Sequence, residues 1–411
     1  MQDIMIRNAT VVLKDRVLNS GSVWIHGNRI QEISEKPDFA QQAPLAKQID
    51  AEGAYLMPGF IDIHSDNIET VIQPRPQSMI DFELAMREQE KQLVNQGITT
   101  MYHSLTIMDV EALDEQKTAK KAQMRSPENL KRLVGLIRTF HEGDHLIRHR
   151  FHCRYEITNT VGYAMLLDFI RNRDMQLLSF MDHTPGQGQY RDLEFFKNQV
   201  MSPEHSDQEK ARLIQERMNQ TKLTAEQLAQ AADMAEEAGI PIASHDDDSS
   251  EKLDYVTNSL HAQICEFPVE LAVAKDAHSR GMQVVVGATN ILMGRSHSNN
   301  LSALEAIKNG CANILVSDYF PAAILHAVFQ LYEQGICSLP EAVNMATYNP
   351  AKAVKMDDRF GSIEPGNYAD LLLVSKKGAV PVILSVFING EEVTKIHYRN
   401  NFVGEDGVHD D

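Results

Sequence analysis

Positive charge, cysteine and long apolar runs are all scarce in this 411-residue chain. Lys and Arg number 39 against 57 Asp and Glu, a formal net charge of −18. A surface of that sign repels nucleic acid and anionic lipid, so neither is expected as a partner, and an anionic substrate would need local positive charge. The four cysteines, Cys153, Cys265, Cys311 and Cys337, are scattered without a CxxC pair. That argues against a disulfide framework and for a reducing compartment. No stretch of about 18 apolar residues is present, so no membrane-spanning helix is expected. The start, Met1-Gln2-Asp3-Ile4, lacks a basic segment followed by an apolar one, and the protein reads as cytoplasmic. No GxGxxG follows an early strand, which weighs against a doubly wound dinucleotide fold. A homo-oligomer is compatible with these features, and none of them sets its order.

Both chain ends read as β structure. Val23 and Ile25 lead into His26-Gly27-Asn28-Arg29, and the run Ile30 to Ile33 leaves it, a hairpin pattern. Near the other end, Asn389-Gly390 is a two-residue turn signal between Val386-Phe387-Ile388 and Val393, after a strand-like Leu371-Leu372-Leu373-Val374. Residues 1–56 and 356–411 are therefore expected to form one small β domain, a sandwich sewn from both ends. Between them, residues 57–355 alternate short apolar strands with helical patterns, the mark of βα units and a parallel sheet. Eight strands are expected: Phe60 to Asp66, Thr99 to Leu105, Arg150 to Ile157, Gln176 to His183, Ile240 to His245, Gln263 to Phe267, Gln283 to Ala288 and Asn313 to Asp318. Ser126-Pro127-Glu128 and the capping box Thr224-Ala225-Glu226-Gln227 open two of the intervening helices. The α/β architecture expected is a (β/α)8 barrel with insertions, the largest over Pro185 to Leu223.

Side chains alternate faces along a strand, so parity sorts the chemistry. Asp62, His64 and Asp66 share one face of the first strand and Ile61 and Ile63 the other. On the third strand, His152, Arg154 and Glu156 oppose Phe151, Cys153, Tyr155 and Ile157. Helices bury the outer face of a barrel, so the polar set is expected inward. His183, His245 and Asp318 close three further strands, at the end where barrel enzymes keep their active sites. A lone histidine is commonly a core or loop residue, but three imidazoles and three carboxylates at matched strand ends make a divalent-metal site, wide enough for two ions sharing a carboxylate. Asp246, Asp247 and Asp248 read as a solvated charge run whose first member orients His245.

Pro58-Gly59-Phe60-Ile61-Asp62-Ile63-His64, Asn349-Pro350-Ala351-Lys352-Ala353 and the run from Gly361 to Leu371 resemble the amidohydrolase superfamily. The variant first-strand motif His64-Ser65-Asp66, with Met181-Asp182-His183-Thr184-Pro185-Gly186-Gln187, Ala243-Ser244-His245-Asp246-Asp247, Ser296-His297-Ser298 and Ser317-Asp318-Tyr319-Phe320-Pro321-Ala322, resembles the PhnM family. These are diphosphatases of phosphonate breakdown that act on α-D-ribose 1-methylphosphonate 5-triphosphate. The resemblance implies metal ligands His64, Asp66, Glu156, His183, His245 and Asp318, with Glu156 bridging two divalent ions. Zinc comes first, and manganese or iron also suit such donors. It makes Asp318 the general base and implies a small phosphorylated substrate cleaved to the 5-phosphate and pyrophosphate. Arg75, Arg295 and His297 are the candidates for binding it.

The loop Asn290-Ile291-Leu292-Met293-Gly294-Arg295-Ser296-His297-Ser298-Asn299-Asn300 departs from the family's glycine-rich run: the arginine has moved and two glycines are gone. Arg295, Asn299 and Asn300 would then replace backbone N–H donors at the phosphate. Two other readings use the same residues. One is a cyclic amidase or deaminase on this scaffold, since a barrel does not choose its reaction. The other is a non-catalytic subunit of a phosphonate-processing assembly, against which the complete ligand set argues.

Overall fold

The structure is a computed structural model, and it describes all residues except 1, 37–38, 76, 110–122, 202, 204, 295–299 and 399–411. The N-terminal segment supplies β1 (Ile4–Val12), β2 (Val17–His26), β3 (Arg29–Ser34), β4 (Lys47–Asp50) and β5 (Tyr55–Pro58). Eight strands follow: β6 (Phe60–Ser65), β7 (Ile98–Ile107), β8 (Arg148–Glu156), β9 (Leu177–Met181), β10 (Ile242–His245), β11 (Ile264–Glu266), β12 (Gln283–Gly287) and β13 (Ile314–Val316). The chain ends in β14 (Leu371–Lys377), β15 (Val380–Ile388) and β16 (Glu391–Lys395). All eight expected barrel strands are present, within a few residues of their expected bounds.

Strands β6 to β13 pair in sequence order and in parallel. A bridge between Ser65 and Asp318 joins the first strand to the segment after the last and closes the barrel. The other sheet runs β16-β15-β14-β5-β1-β2-β3, with β4 also on β1. Its join is the antiparallel pairing of β14 with β5, Leu371 opposite Pro58, which ties the C-terminal strands to the segment that leads into the barrel. Both expected hairpins form. Gly27 at φ 59°, and Asn389 and Gly390 at φ 51° and 77°, take the left-handed conformations that short β-turns require.

The helices open where the sequence marks them. Ser126 accepts from the Asn129 N–H at the start of Pro127–Glu142, and Thr224 and Gln227 close a capping box on Ala225–Glu237. Their apolar faces cover the outside of the barrel, where Phe151, Cys153 and Tyr155 share one large core with helix residues such as Leu130, Leu133 and Ile137. Each such large side chain withdrawn from water contributes about 1.5–3 kcal/mol. Inside, Tyr102, Leu177, Ala243, Ile264 and Val285 pack on Ala351, Met356 and Phe360, so the chain after the last barrel helix plugs the bottom of the barrel.

On β6 the strict alternation expected from the sequence fails. Ile61 and Ile63 belong to the inner cluster, not to the helix-covered face. The pairing with β7 explains it: Asp62 sits opposite Met101 but Ser65 opposite His103, so β6 carries one extra residue. This is a β-bulge, and Asp62 stabilises it by accepting from the N–H groups of His64 and Ser317. The bulge lets Ile63 and His64 both turn inward.

Candidate metal centre

Every residue of the expected ligand set lies at the C-terminal ends of the barrel strands. His64 is buried at the end of β6, and its Nδ1–H donates to Glu266 Oε1 at 2.7 Å. The backbone N–H of Asp318 donates to the His64 carbonyl at 3.0 Å, and that of Asp66 to the Asp318 carbonyl at 2.8 Å. The barrel seam therefore sets these three residues side by side, with Asp318 in the left-handed region at φ 62°. Glu156, at the end of β8, accepts from both the backbone N–H and Nδ1 of His183, at 2.9 and 2.6 Å. His245 ends β10, and its Nδ1–H donates to Asp246 Oδ2 at 2.7 Å, an oxygen that also lies 3.6 Å from His183 Nε2. The imidazoles of His64 and His245 are 5.4 Å apart, and those of His183 and His245 5.9 Å.

His64, Asp66, His245 and Asp318 open onto one cavity of about 240 Å3, shared with Arg154, Asp246, Phe267, Asn290 and Asn300. Arg75 is not among the lining residues. It is exposed in a tight turn, bridged to Ser78. Arg295 and His297 lie outside the described residues, with the rest of the stretch 295–299 of the altered loop; its flanks, Asn290 and Asn300, reach the cavity.

Sequence reasoning assigned no role to Glu266, and it left His152 and Arg154 as inward-facing residues without a task. Glu266 is fully buried on β11, accepts from His64 and from the Ser179 hydroxyl, and lies 3.9 Å from His152. Burial opposes its charge, but the facing His64 and His152 hold its carboxyl far below the usual range. Burial pushes His152 down to about 3, so its imidazole is neutral and bonds Ser179 and Ser104. Arg154 Nη2 stands 3.4 Å from His245 Nε2, and its buried Nε has no partner among the described residues. Parity would have found Glu266: Cys265 faces the helices, so its neighbour faces in.

The acidic run is not solvated. Asp246 and Asp247 are buried, and Asp247 accepts from the Ser244 hydroxyl and the Cys265 thiol. Lys252 donates to the carbonyls of His245 and Asp246 and lies 3.4 Å from Asp247, which offsets the acids. Asp246 does meet His245 as expected. Burial works against a charged His183, but Glu156 and Asp246 outweigh it and hold the ring up at about 9.

The sequence profile of the amidohydrolase family matches residues 214–393. The chain is 32% identical over 388 residues to the α-D-ribose 1-methylphosphonate 5-triphosphate diphosphatase of Escherichia coli (strain K12), covering 91% of this chain and 96% of that one. The chain belongs to the amidohydrolase family. Solved structures share the fold of this amidohydrolase at low identity. N-acetylglucosamine-6-phosphate deacetylase from Pasteurella multocida matches with TM-score 0.61 at 13% identity over 94% of this chain and 98% of that one. Dihydropyrimidinase from Brevibacillus agri NCHU1002 matches with TM-score 0.58 at 15% identity over 96% and 95%.

Amidohydrolases work with divalent metal ions, and the donors of this amidohydrolase suit them. His64, His152 and Glu266 bring one ligand atom each within 4.8 Å of one another, and so do His183, His245 and Asp246. Imidazole and carboxylate together match borderline and hard divalent ions.

Proposed function

We propose that this amidohydrolase hydrolyses the triphosphate of α-D-ribose 1-methylphosphonate 5-triphosphate, giving the 5-phosphate and pyrophosphate in phosphonate catabolism. The observation that carries the reading is full-length similarity to a diphosphatase named for that substrate, in a chain where His64, Asp66, His245 and Asp318 line one cavity and Glu156 and His183 pair with each other beside it. We take residues 57–355 as the catalytic barrel and the two chain ends as its β domain. His64, Asp66, Glu156, His183, His245 and Asp318 would hold two divalent ions, zinc first, with manganese or iron suited to the same donors. Bound there, such ions supply Lewis acidity to a water molecule and to phosphoryl oxygens.

The chain's own groups do the rest. Asp318 accepts the proton of the attacking water, held in place through its backbone bonds to His64 and Asp66. The water oxygen bonds to phosphorus as the bond between the first two phosphoryl groups breaks, and pyrophosphate departs. Arg154, whose buried Nε has no partner among the described residues, offers its guanidinium to the phosphoryl oxygens. Asn290 and Asn300 add neutral donors at the cavity wall, and Arg295 and His297 remain substrate candidates. Asp246 and Glu266 orient His245 and His64, as carboxylates behind metal-ligating imidazoles do. The enzyme would act in the cytoplasm.

The test offers the metal-loaded protein two substrates in parallel, the ribosyl triphosphate and a cyclic amide such as dihydrouracil. Pyrophosphate from the first with no ring opening of the second supports the reading. Ring opening without pyrophosphate replaces it with the cyclic-amidase alternative, and inertness toward both with less than one metal ion per chain favours a non-catalytic subunit.

A further inference from the structure

A second cavity lies away from the metal centre. It is a space of about 750 Å3 at the opposite end of the barrel, around the N-terminal ends of β8, β9 and β10. Arg148, where β8 begins, lines it, while Glu156, where β8 ends, belongs to the metal centre; eight residue steps of strand put them about 26 Å apart.

Its walls carry one sign of charge. Arg148, Arg150, Arg173, Lys355 and Arg359 line it with His141 and His145, and no Asp or Glu is among the lining residues. Arg148 is accounted for: it is buried, paired with Asp370, and stacked 4.3 Å from the Phe360 ring. Arg150, Arg173 and Lys355 have no ion pair recorded among the described residues, and Arg359 has only its exposed neighbour Asp358. In a protein of net charge −18, such a gathering of cations is against the overall balance. His141 reflects the local field, since burial first and then Arg150 and His145 push it down to about 4.

The backbone adds an independent observation. Arg173 and Lys355 both sit just past helix ends, at φ 56° and 58°, where the Asp174 N–H bonds the Phe169 carbonyl and the Met356 N–H the Ala351 carbonyl. That is the helix-terminating position glycine fills without strain. Both helices instead end on a cation that lines this cavity.

We propose that the N-terminal face of the barrel is a second binding site, for an anion bearing two or more linked phosphoryl groups. Cations from four chain segments surround the space: β8, the ends of two helices and the turn before Phe360. Cations spread around a space of about 750 Å3 suit a chain of linked phosphoryl groups better than one phosphate. Arg148 and Arg150 form the floor, and Arg173, Lys355 and Arg359 form an exposed rim through which the ligand enters. Phosphate chains pair well with such guanidinium forks. The volume falls in the range of about 300–1,000 Å3 usual for small-molecule sites.

Calorimetric titration of the full-length, metal-loaded protein with pyrophosphate in excess divalent buffer tests this. The expected result is two binding events in the wild type, of which one weakens at least tenfold in Arg150→Gln combined with Arg173→Gln, with turnover at the metal centre retained. If Arg150→Gln fails to fold, the exposed pair Arg173→Gln and Lys355→Gln carries the same test. Titration with ADP separates the two sources of a diphosphate. Tighter binding than pyrophosphate assigns a nucleotide, with its base near Phe360 and Tyr368, and equal binding assigns an inorganic or simple ester chain. One event in the wild type that survives these substitutions, or titrations that superimpose, overturns the proposal.

Discussion

Replacing Glu266 by glutamine changes one buried atom's chemistry and little of its shape. The carboxylate accepts the His64 Nδ1–H at 2.7 Å and the Ser179 hydroxyl on its other oxygen. In Glu266→Gln the amide oxygen can still face His64, while the NH2 group turns to Ser179, whose hydroxyl rotates to accept. The bond to His64 falls from charge-assisted to neutral, a loss of about 1–2 kcal/mol. Removing a fully buried charge also relieves a desolvation cost, so stability without metal should change less than metal affinity. Carboxylates behind metal-ligating imidazoles are worth about 10–100-fold in affinity, and a loss in that range is expected here. Competition against a chromophoric chelator reads the affinity, and urea unfolding of the metal-free chain reads the stability. Metal affinity within twofold of wild type would refute the role given to Glu266.

Three further substitutions probe the scaffold. In Gly59→Ala the new Cβ would overlap the Thr99 side chain across the β6–β7 pairing, so a loss of about 1–3 kcal/mol is expected in urea unfolding. Arg125 forks onto buried Glu69 at 3.0 and 2.7 Å, and Arg125→Ala should cost about 3–5 kcal/mol because the buried carboxylate loses its guanidinium partner; thermal melts would show it. His103 is buried and bonded to His149 at 2.9 Å, and burial first, then His149, holds its pKa well below 6.5. The unfolded chain then binds the extra proton, so stability present above pH 6.5 is lost as pH falls below it, by up to about 1.4 kcal/mol per unit for this group. The variant His103→Gln should show a correspondingly flatter loss between pH 6.5 and 5.5, and an unchanged slope would contradict the assignment.

The barrel was legible because each strand is short, apolar and bounded by turn signals, and because β8 alternates without a break, with Phe151, Cys153 and Tyr155 outward and His152, Arg154 and Glu156 inward. Strand β6 was misread in part, since a bulge is a one-residue event in pairing and leaves no mark on composition. Glu266 went unassigned although parity beside Cys265 points it inward, because in the three residues of β11 that signal is a single neighbour and not a repeated pattern. The burial of Asp247 depends on Lys252, Ser244 and Cys265, and Lys252 comes from the helix that follows, a convergence that sequence order does not express. The N-terminal cavity was invisible for the same reason: its cations come from segments more than 200 residues apart.

The most direct test of the central claim is phosphorus NMR of the metal-loaded protein with α-D-ribose 1-methylphosphonate 5-triphosphate, run beside Asp318→Asn. The account predicts one pyrophosphate and one 5-phosphate per substrate from the wild type, and no turnover from Asp318→Asn although it keeps most of its metal. Stepwise release of single phosphates, or equal turnover in the two proteins, would contradict it.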